Sequence, residues 1–299
     1  MLHSEFASTT RGLRRDSPPM VLFEKAKRIG IWNPSDIDFT QDIIDWPKFT
    51  DTERDAILRL TSLFVAGEEA VTLDLLPLMQ VISREGHAEE SIYMTSFLWE
   101  EAKHTDFFAR FLSEVARVDH SLERYHLPCY RTIFYEVLPT ALNALQHDSS
   151  PGALVRAATT YNLVVEGIIA ETGYYAYFLS LDQSGMLPGT RAGVAKIKQD
   201  EARHIAFGIY LLSRLLSANP QLWDDVQETM NNLLALTVGM IHEMFEQYET
   251  PPFGVPESDF QNFAMRQFEK RINRLDRARS MSLASIEDAT RIIIDEDDA

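Results

Sequence analysis

The sequence contains very little cysteine: Cys129 is the only one among 299 residues. A single thiol cannot form an intramolecular disulfide, which excludes a disulfide-stabilised secreted fold. The N-terminal segment also lacks the apolar run that follows the basic residues of a secretory signal. No stretch comes near the run of about 18 apolar residues that a membrane-spanning helix needs. We therefore expect a soluble, cytoplasmic protein with no membrane span.

Basic residues are scarce as well. The chain has 28 Lys and Arg against 45 Asp and Glu, which gives a formal net charge of -17 at pH 7. An excess of negative charge opposes binding to nucleic acid and to anionic membrane surfaces. We therefore expect neither of them as a partner.

Patterns typical of β-strands are nearly absent, because no segment shows a sustained alternation of apolar and polar residues. Apolar residues recur at helical spacing instead, which predicts an all-α fold. No linker is rich in glycine or serine, so we expect one domain, 1–299, with its core at about 50–250. Both ends, 1–20 and 286–299, are expected to be flexible. Long helices are predicted near 51–84, 88–116, 128–147, 151–184, 189–217, 220–249 and 257–279.

Two of these helices carry a glutamate three residues before a histidine. The segments are "WEEAKHTDFF", with Glu101 and His104, and "QDEARHIAFG", with Glu201 and His204. Both pairs occupy the apolar face of their helix, where a core would normally place leucine. A third such pair, in "SLERYHLPCY", lies in polar surroundings before a proline, and we interpret it as coincidence.

An inward-facing glutamate needs a proton, a counter-charge or a metal, because burying an ionised carboxylate without a partner costs several kcal/mol. Two more glutamates fit this description. Glu68 continues an apolar stripe of the helix near 51–84, and Glu166 stands among apolar neighbours in "YNLVVEGIIA". With the two pairs they give four glutamates and two histidines on four helices, the ligand set of dinuclear carboxylate proteins. These donors favour iron or manganese, and they allow a di-iron, a di-manganese or a mixed site.

Asp200 immediately precedes the second pair and cannot share its helix face. A metal-bound histidine usually donates its far N–H to an acceptor, which makes Asp200 a candidate for orienting His104. A solvent-facing aspartate is an equally good interpretation of the sequence.

The chain also resembles a known family in segments spread over about 20–250. These segments are "FEKAKRIGIWNPSDIDFTQD", "AGEEAVTLDLLP", "EEAKH", "IFYEVLP", "RAATTYNLVVEG", "ETGYY" and "DEARHIAFGIY". They resemble the ferritin-like superfamily, within it the small subunit of class I ribonucleotide reductase, and more closely the ligand-binding oxidases that are similar to this subunit. The resemblance implies a ferritin-like helix bundle with additional helices and a dinuclear metal site in its four-helix core.

For activity, the resemblance implies an O2-activating oxidoreductase that forms a homodimer. The family binds one manganese and one iron ion, together with a long-chain fatty acid at the metal site, and carries out two-electron C–H oxidation. Carried over to this sequence, the manganese ligands would be Glu68, Glu101 and His104, and the iron ligands would be Glu166, Glu201 and His204.

The resemblance further implies an ether cross-link between the oxygen of Tyr161 and the β-carbon of Val71. Val71 lies one helical turn after Glu68, on the same face. Tyr161 precedes Glu166 by five residues, a spacing that a regular α-helix does not place on one face. The family match alone therefore supplies this tyrosine.

Two alternative functions stay open on the sequence. The first is the radical-generating small subunit of class I ribonucleotide reductase, since the acidic end at 286–299 is similar in composition to a docking tail. Against it, such subunits commonly have an aspartate where this chain has Glu68, and they export a radical through a C-terminal tyrosine, whereas no tyrosine follows Tyr248. The second alternative, iron storage, is disfavoured because the chain is longer than a minimal four-helix storage subunit.

Overall fold

The computed structural model describes residues 6–182 and 184–296, and within them it contains helices and no β-strand. The prediction of an all-α fold is therefore confirmed. Three π-helices extend or join the α-helices: Phe111–Val115, Thr132–Val137 and Thr159–Ala170. The α-helices, numbered in chain order, are α1 Ala7–Thr10, α2 Pro18–Ile29, α3 Thr40–Asp45, α4 Asp51–Asp74, α5 Leu76–Arg84, α6 Ala88–Arg110, α7 Pro128–Arg131, α8 Leu138–Ala144, α9 Pro151–Ala158, α10 Glu171–Asp182, α11 Pro188–Ala218, α12 Trp223–Phe245, α13 Glu257–Ala278 and α14 Leu283–Glu296.

Helix α4 begins with a capping box formed by Thr50 and Glu53. The Glu53 N–H donates to Thr50 Oγ1 over 3.2 Å, and the Thr50 N–H donates to the Glu53 carboxylate over 2.8 Å. The single helix predicted near 51–84 is in fact two helices, α4 and α5, with Leu75 between them. Pro77 explains the break, because proline lacks an N–H and its ring clashes with the carbonyl four residues earlier.

Four helical segments surround the centre of the molecule: α4, α6, the π-helix Thr159–Ala170 and α11. Helix α4 packs against α6, α11 packs against the π-helix, and α12 and α13 pack against the π-helix as well. The segments enclose a large mixed aliphatic and aromatic core. A second core is mainly aromatic, and in it Phe64 stacks on Phe108 and Tyr174 with ring centroids 5.0 and 4.8 Å apart. This ferritin-like arrangement buries the inward-facing charged side chains.

The helix predicted near 151–184 has an unexpected form at its centre. Thr159–Ala170 is a π-helix, in which each N–H bonds to the carbonyl five residues earlier instead of four. The wider turn brings residues five positions apart to one side of the segment, and this is the spacing of Tyr161 and Glu166. Apolar composition does not distinguish a π-helix from an α-helix, so the pattern of apolar residues does not predict it.

The stretch Pro151–Asp182 is long and apolar enough to cross a membrane, by length and composition. Its most apolar window is 83% buried inside the protein. Apolar residues all around a helix are typical of a helix at the centre of a core, which is the position of this stretch.

The expectation that 286–299 are flexible does not hold for the part that the structure describes. Helix α14 packs against α11 and α2, and it buries Ile286 and Ile294, each 2% exposed. The segment's acidic flanks suggested a solvated tail. Its packing depends on α2 and α11, which are remote in sequence, and local composition does not reveal such a partner.

The same expectation for 1–20 is also not met from residue 6 onwards. Arg14 forms an ion pair with Glu287 of α14 over 2.6 Å, and α2 begins at Pro18. The two chain ends therefore hold each other against the helix bundle. The parts of the expectation that fall on 1–5 and 297–299 lie outside the described residues.

A further ion pair at the N-terminal end predicts a contribution to stability that depends on pH. Arg11 donates to both carboxylate oxygens of Glu89 over 2.7 and 2.9 Å, and the Arg14 N–H donates to one of them over 2.9 Å. The hydrogen bonds from Arg11 lower the pKa of Glu89 from 4.5 to about 2. A lowered carboxyl pKa stabilises the folded state above about pH 4.5, and this stabilisation is lost as the pH falls towards 2.

Glu89→Gln should therefore lower the thermal unfolding midpoint of the metal-free protein at pH 7. The deficit relative to wild type should shrink as the pH falls from about 4.5 to 3, because the wild-type carboxylate then becomes protonated in the unfolded chain. Circular dichroism melts at the two pH values measure this difference. An equal deficit at pH 7 and pH 3 would contradict an ionic origin.

Candidate metal centre

The six predicted ligand residues meet at the centre of the bundle. They form two overlapping groups, and within each group one ligand atom per residue lies within 4.8 Å of the others. Each of the six is at most 6% exposed. The first group is Glu68, Glu101, His104 and Glu201, and the second group is Glu101, Glu166, Glu201 and His204.

Each of the four central segments contributes to the cluster. Glu68 comes from α4, Glu166 from the π-helix, and one Glu-x-x-His pair each from α6 and α11. The i, i+3 spacing places both members of a pair on the same face of their helix. Because Glu101 and Glu201 belong to both groups, the two groups share carboxylates and form one dinuclear arrangement.

The inward nitrogen of each histidine faces carboxylate oxygens. His104 Nδ1 lies 3.3 Å from Glu201 Oε1 and 3.5 Å from Glu68 Oε2. His204 Nδ1 lies 3.0 Å from Glu101 Oε1 and 3.4 Å from Glu201 Oε2. All of these side chains are buried, so the two nitrogens and the carboxylates share a dry space.

Four donor atoms in this space have no hydrogen-bond partner among the described residues. Buried polar atoms without a partner are rare in native proteins, and several of them converging on one point call for a common explanation. Oxygen and imidazole donors that converge in two groups fit a pair of divalent cations, each of which would accept a lone pair from these atoms. The atoms are His104 Nδ1, His204 Nδ1, Glu166 Oε1 and Glu201 Oε2.

Burial sets the charge of the metal-free centre. It raises the pKa of Glu68 well above the usual range and that of Glu166 to about 8. Burial acts in the same direction on Glu201, but the positive charges of His204 and His104 outweigh it and hold this pKa at about 2. Burial lowers the pKa of His104 and His204, and the surrounding carboxylates more than reverse this effect. The centre therefore retains protons that metal ions would displace.

The far nitrogen of each histidine is held by the opposite helix. His104 Nε2, on α6, lies 3.2 Å from Asp200 Oδ2 on α11. His204 Nε2, on α11, lies 2.9 Å from Glu100 Oε2 on α6. Asp200 is therefore buried and within hydrogen-bond distance of His104, as expected for a residue that orients this histidine. A carboxylate at Nε2 fixes the ring orientation and leaves Nδ1 free to bind a metal.

Sequence reasoning missed Glu100, although a signal was present. The two motifs read "EEAKH" and "DEARH", so an acid precedes each ligand glutamate and a base precedes each ligand histidine. Glu100 occupies the same position in the first motif as Asp200 in the second, which makes it the equivalent candidate. The base of the second motif belongs to the same network, since Arg203 Nη2 donates to Glu100 Oε1 and to Asp200 Oδ1, each over 2.5 Å.

Asp200 is surrounded by donors. Lys103 Nζ donates to its Oδ2 over 3.0 Å, and Trp32 Nε1 donates to the same oxygen over 2.8 Å. Burial opposes ionisation of Asp200, but His104 and the neighbouring bases outweigh burial and hold its pKa below the usual range. Asp200 is therefore ionised and can accept a hydrogen bond, as the orientation of His104 requires.

Three residues of the π-helix and α10 touch the carboxylates directly. Tyr161 donates its hydroxyl to Glu101 Oε1 over 3.0 Å. Asn162 Nδ2 donates to Glu166 Oε2 over 2.9 Å, and the Tyr174 hydroxyl lies 3.4 Å from Glu201 Oε1. The structure therefore places Tyr161 at the cluster, which α-helical spacing did not predict.

The carboxylates of Asp200 and Glu100, each bound to one histidine, predict separable effects on the two ions. Asp200→Asn should weaken binding at the group containing His104 by about 10–100-fold, and Glu100→Gln should do the same at the group containing His204. Anomalous scattering from crystals of each variant would measure the occupancy of each ion. Asp106→Asn is the matched control, since Asp106 is exposed on α6. Equal losses of both ions in both variants would contradict this division.

A long apolar cavity adjoins the cluster. Its lining includes four glutamates of the cluster, Glu68, Glu101, Glu166 and Glu201, and also Val71. The rest of the lining comes mainly from α4, the π-helix, α10 and α12, and it includes Phe253. Such an enclosure, largely apolar with a few polar groups, is typical of a site for a small amphiphilic ligand.

Comparison with known proteins agrees with this geometry. The family model "Ribonucleotide reductase, small chain" matches residues 21–278, and the chain belongs to this family. Within it, the chain groups with the R2-like ligand-binding oxidases. A valine-to-leucine variant of such an oxidase with an anaerobically reconstituted Mn/Fe cofactor, and a tyrosine-to-phenylalanine variant with an aerobically reconstituted one, are each 36% identical to it. Both superpose with a TM-score of 0.86 and cover 91% of this chain and 98% of their own.

Proposed function

We propose that this protein is a dinuclear Mn/Fe oxidase that uses O2 for two-electron C–H oxidation. The observation that carries the proposal is the pair of overlapping donor groups, with both histidine Nδ1 atoms buried and without a hydrogen-bond partner among the described residues. The relatives reconstituted with Mn/Fe support the choice of metals, since the donor set itself accepts either ion. The adjoining apolar cavity gives a C–H substrate access to the site.

In this proposal each ion has its own histidine and shares carboxylates with the other. Glu101 and Glu201 would contribute to the binding of both ions, because each belongs to both groups. When bound, the metal pair would supply the electrons and the Lewis acidity needed to activate O2. The protein's part is to hold the donors without water, and the Asp200 and Glu100 carboxylates keep the histidine rings in place. Manganese would take Glu68, Glu101 and His104, and iron would take Glu166, Glu201 and His204.

The cavity supports a long-chain fatty acid as the bound ligand. A carboxylate at the metal end would meet the cations, and the alkyl chain would lie among apolar side chains, where each buried CH₂ contributes about 0.8 kcal/mol. The largely apolar lining offers no comparable fit to a polar metabolite. The acid could be a substrate or a permanent ligand of the site.

We further propose the ether cross-link between Tyr161 and Val71. Tyr161 donates to Glu101, and Val71, 4% exposed, lines the cavity beside Glu68. The tyrosine would lose its hydroxyl hydrogen and the valine its β-hydrogen as the O–C bond forms. O2 would take these two electrons and two more from the reduced metals, and with the two protons released here and two more from solvent it would form two water molecules.

The proposal predicts a product that is two hydrogens lighter than the separate peptides. Metal-free protein is loaded with Mn(II) and Fe(II), one half is exposed to O2, and both halves are digested with trypsin for mass spectrometry. A linked peptide pair containing Val71 and Tyr161 should be present only after O2. Tyr161→Phe should abolish it because the oxygen is missing, whereas Tyr174→Phe should retain it, since Tyr174 is an equally buried tyrosine at the same cluster.

Separate peptides after metal uptake and O2 consumption would refute the cross-link. In that case the family membership makes a radical-generating reductase subunit the second candidate, and electron paramagnetic resonance of the O2-treated protein would detect its tyrosyl radical. Failure to bind metal at all would refute the oxidase proposal as a whole.

We also propose that the protein is a homodimer of the cytoplasm. Family likeness supports the dimer. A reducing compartment is consistent with the only cysteine, Cys129, being a free thiol.

A further inference from the structure

The apolar cavity has a charged residue far from the metal centre. Among its lining residues that the structure describes, Arg59 is the one basic side chain. It is 6% exposed, and it lies on α4, the helix that also carries Glu68. The same wall of the cavity therefore presents carboxylate at one position and guanidinium at another.

The guanidinium is only partly satisfied. Arg59 Nε donates to the hydroxyl of Tyr248 over 3.1 Å, and Nη2 lies 3.5 Å from Asp55 Oδ2. The third nitrogen, Nη1, is buried and has no hydrogen-bond partner among the described residues. A buried donor without an acceptor costs about 1–3 kcal/mol, and because Arg59 lines the cavity, a ligand bound there can supply the missing acceptor.

The distance from the metal centre suits a chain molecule. Nine residues separate Arg59 from Glu68, which corresponds to about 13.5 Å along the helix axis. The α4 residues between them that line the cavity are Leu60, Leu63, Phe64 and Gly67, all apolar. With C–C bonds of about 1.5 Å, an extended alkyl chain advances about 1.3 Å per carbon and covers this distance with roughly ten carbons.

The local charge indicates which acceptor fits. Asp55 already balances Arg59, and its carboxylate is held by the hydroxyls of Tyr125 and Tyr248, each over 2.7 Å. A second carboxylate would bring an unbalanced negative charge into a buried place, which is costly. A neutral oxygen would satisfy the Nη1 donor without this cost.

We propose that the cavity binds a long-chain carboxylic acid with a second, neutral oxygen such as a hydroxyl near its far end, and that Arg59 Nη1 donates to this oxygen. This inference rests on the proposed function, because it takes the metal-end carboxylate and the alkyl chain from there. It adds a specificity-determining residue and narrows the ligand class from fatty acids to their hydroxylated derivatives.

A competition assay tests the inference. Metal-loaded protein is saturated with a fluorescent fatty acid, which is then displaced by two series of acids from about six to eighteen carbons. One series is unsubstituted and the other carries a terminal hydroxyl. The hydroxylated acid should bind roughly 5–150-fold more tightly at the best-matched length, the range expected for satisfying one buried donor. The advantage should fall away at shorter and longer chains, because the oxygen then misses Arg59.

Arg59→Met should reduce the advantage to about one while unsubstituted acids still bind. Asp55 keeps its two tyrosine hydroxyl donors in this variant, which protects the local fold. Equal binding of both series to wild type at every length would overturn the inference, since a water molecule then satisfies Arg59. An advantage that persists in Arg59→Met would overturn it too. If no acid of either series displaces the probe, the fatty-acid part of the proposed function fails first and the inference fails with it.

Discussion

Glu101→Gln should lose both metal ions, whereas Glu68→Gln should keep about one of two. The physical reason is the sharing of carboxylates, since Glu101 belongs to both donor groups and Glu68 to only one. An amide retains the shape of the side chain, but it is a poor ligand and cannot bridge two cations as a carboxylate does. Metal analysis after loading and desalting measures the outcome directly.

The thermal unfolding midpoint, measured with and without metal, gives a second test of the same variants. A ligand at 1,000 times its dissociation constant stabilises the folded state by about 4 kcal/mol. Adding metal should therefore raise the unfolding midpoint of wild type, which binds two ions, more than that of Glu68→Gln, which binds about one. The midpoint of Glu101→Gln should hardly change. Metal-free Glu101→Gln should be at least as stable as metal-free wild type, because it removes one buried acid from a cluster of acids. This separates lost binding from lost folding.

Glu171→Gln is the matched control for both measurements. Glu171 is partly buried on the neighbouring helix α10 and belongs to neither donor group, so its variant should bind both ions. Retention of two ions by Glu101→Gln would show that the shared carboxylate is not a bridge.

The second large effect is expected at Arg203. Arg203→Met should lower the free energy of unfolding of the metal-free protein by about 3–5 kcal/mol. Arg203 is 3% exposed, and it binds both Glu100 and Asp200, so its removal leaves two buried carboxylates with one fewer counter-charge. Urea denaturation monitored by circular dichroism, at equal slope, measures the change.

An exposed arginine provides the comparison. Arg156 pairs with Asp225 over 2.9 Å, but its side chain is 49% exposed, and Arg156→Met should cost less than about 1 kcal/mol. Arg203→Met should also bind metal more weakly, because both histidine-orienting carboxylates lose a partner. Similar unfolding free energies for the two variants would mean that the buried network contributes no more than a surface pair.

Much of this centre could be predicted because its residues are charged on helix faces that are otherwise apolar. Glu68 and Glu166 place charge where the helical pattern demands an apolar residue, and the two Glu-x-x-His pairs do so twice more. Periodicity gives the direction of a side chain relative to the core, and burial energy then requires a counter-charge or a metal. These two arguments bring six residues to one place without any knowledge of tertiary structure.

The parts that escaped prediction depend on contacts between distant segments or on backbone hydrogen bonding. The π-helix around Tyr161 leaves no mark in composition, since its apolar residues would serve an α-helix equally well. The burial of Arg203 and Arg59 depends on segments that are distant in sequence, since Arg203 binds Glu100 of α6 and Arg59 binds Tyr248. The packing of α14 could not be predicted for the same reason, because its partners α2 and α11 are distant in sequence.

The crossed support of the two histidines has a mechanical consequence. Because α6 holds the histidine of α11 and α11 holds that of α6, a slide of one helix past the other by a single turn, about 5.4 Å, would release both rings together. Both histidines therefore keep their supporting carboxylates only when the two helices are in the correct register. A chain whose two helices have docked one turn out of step would be unable to capture its ions, so acquisition of the cofactor would select the correctly assembled bundle.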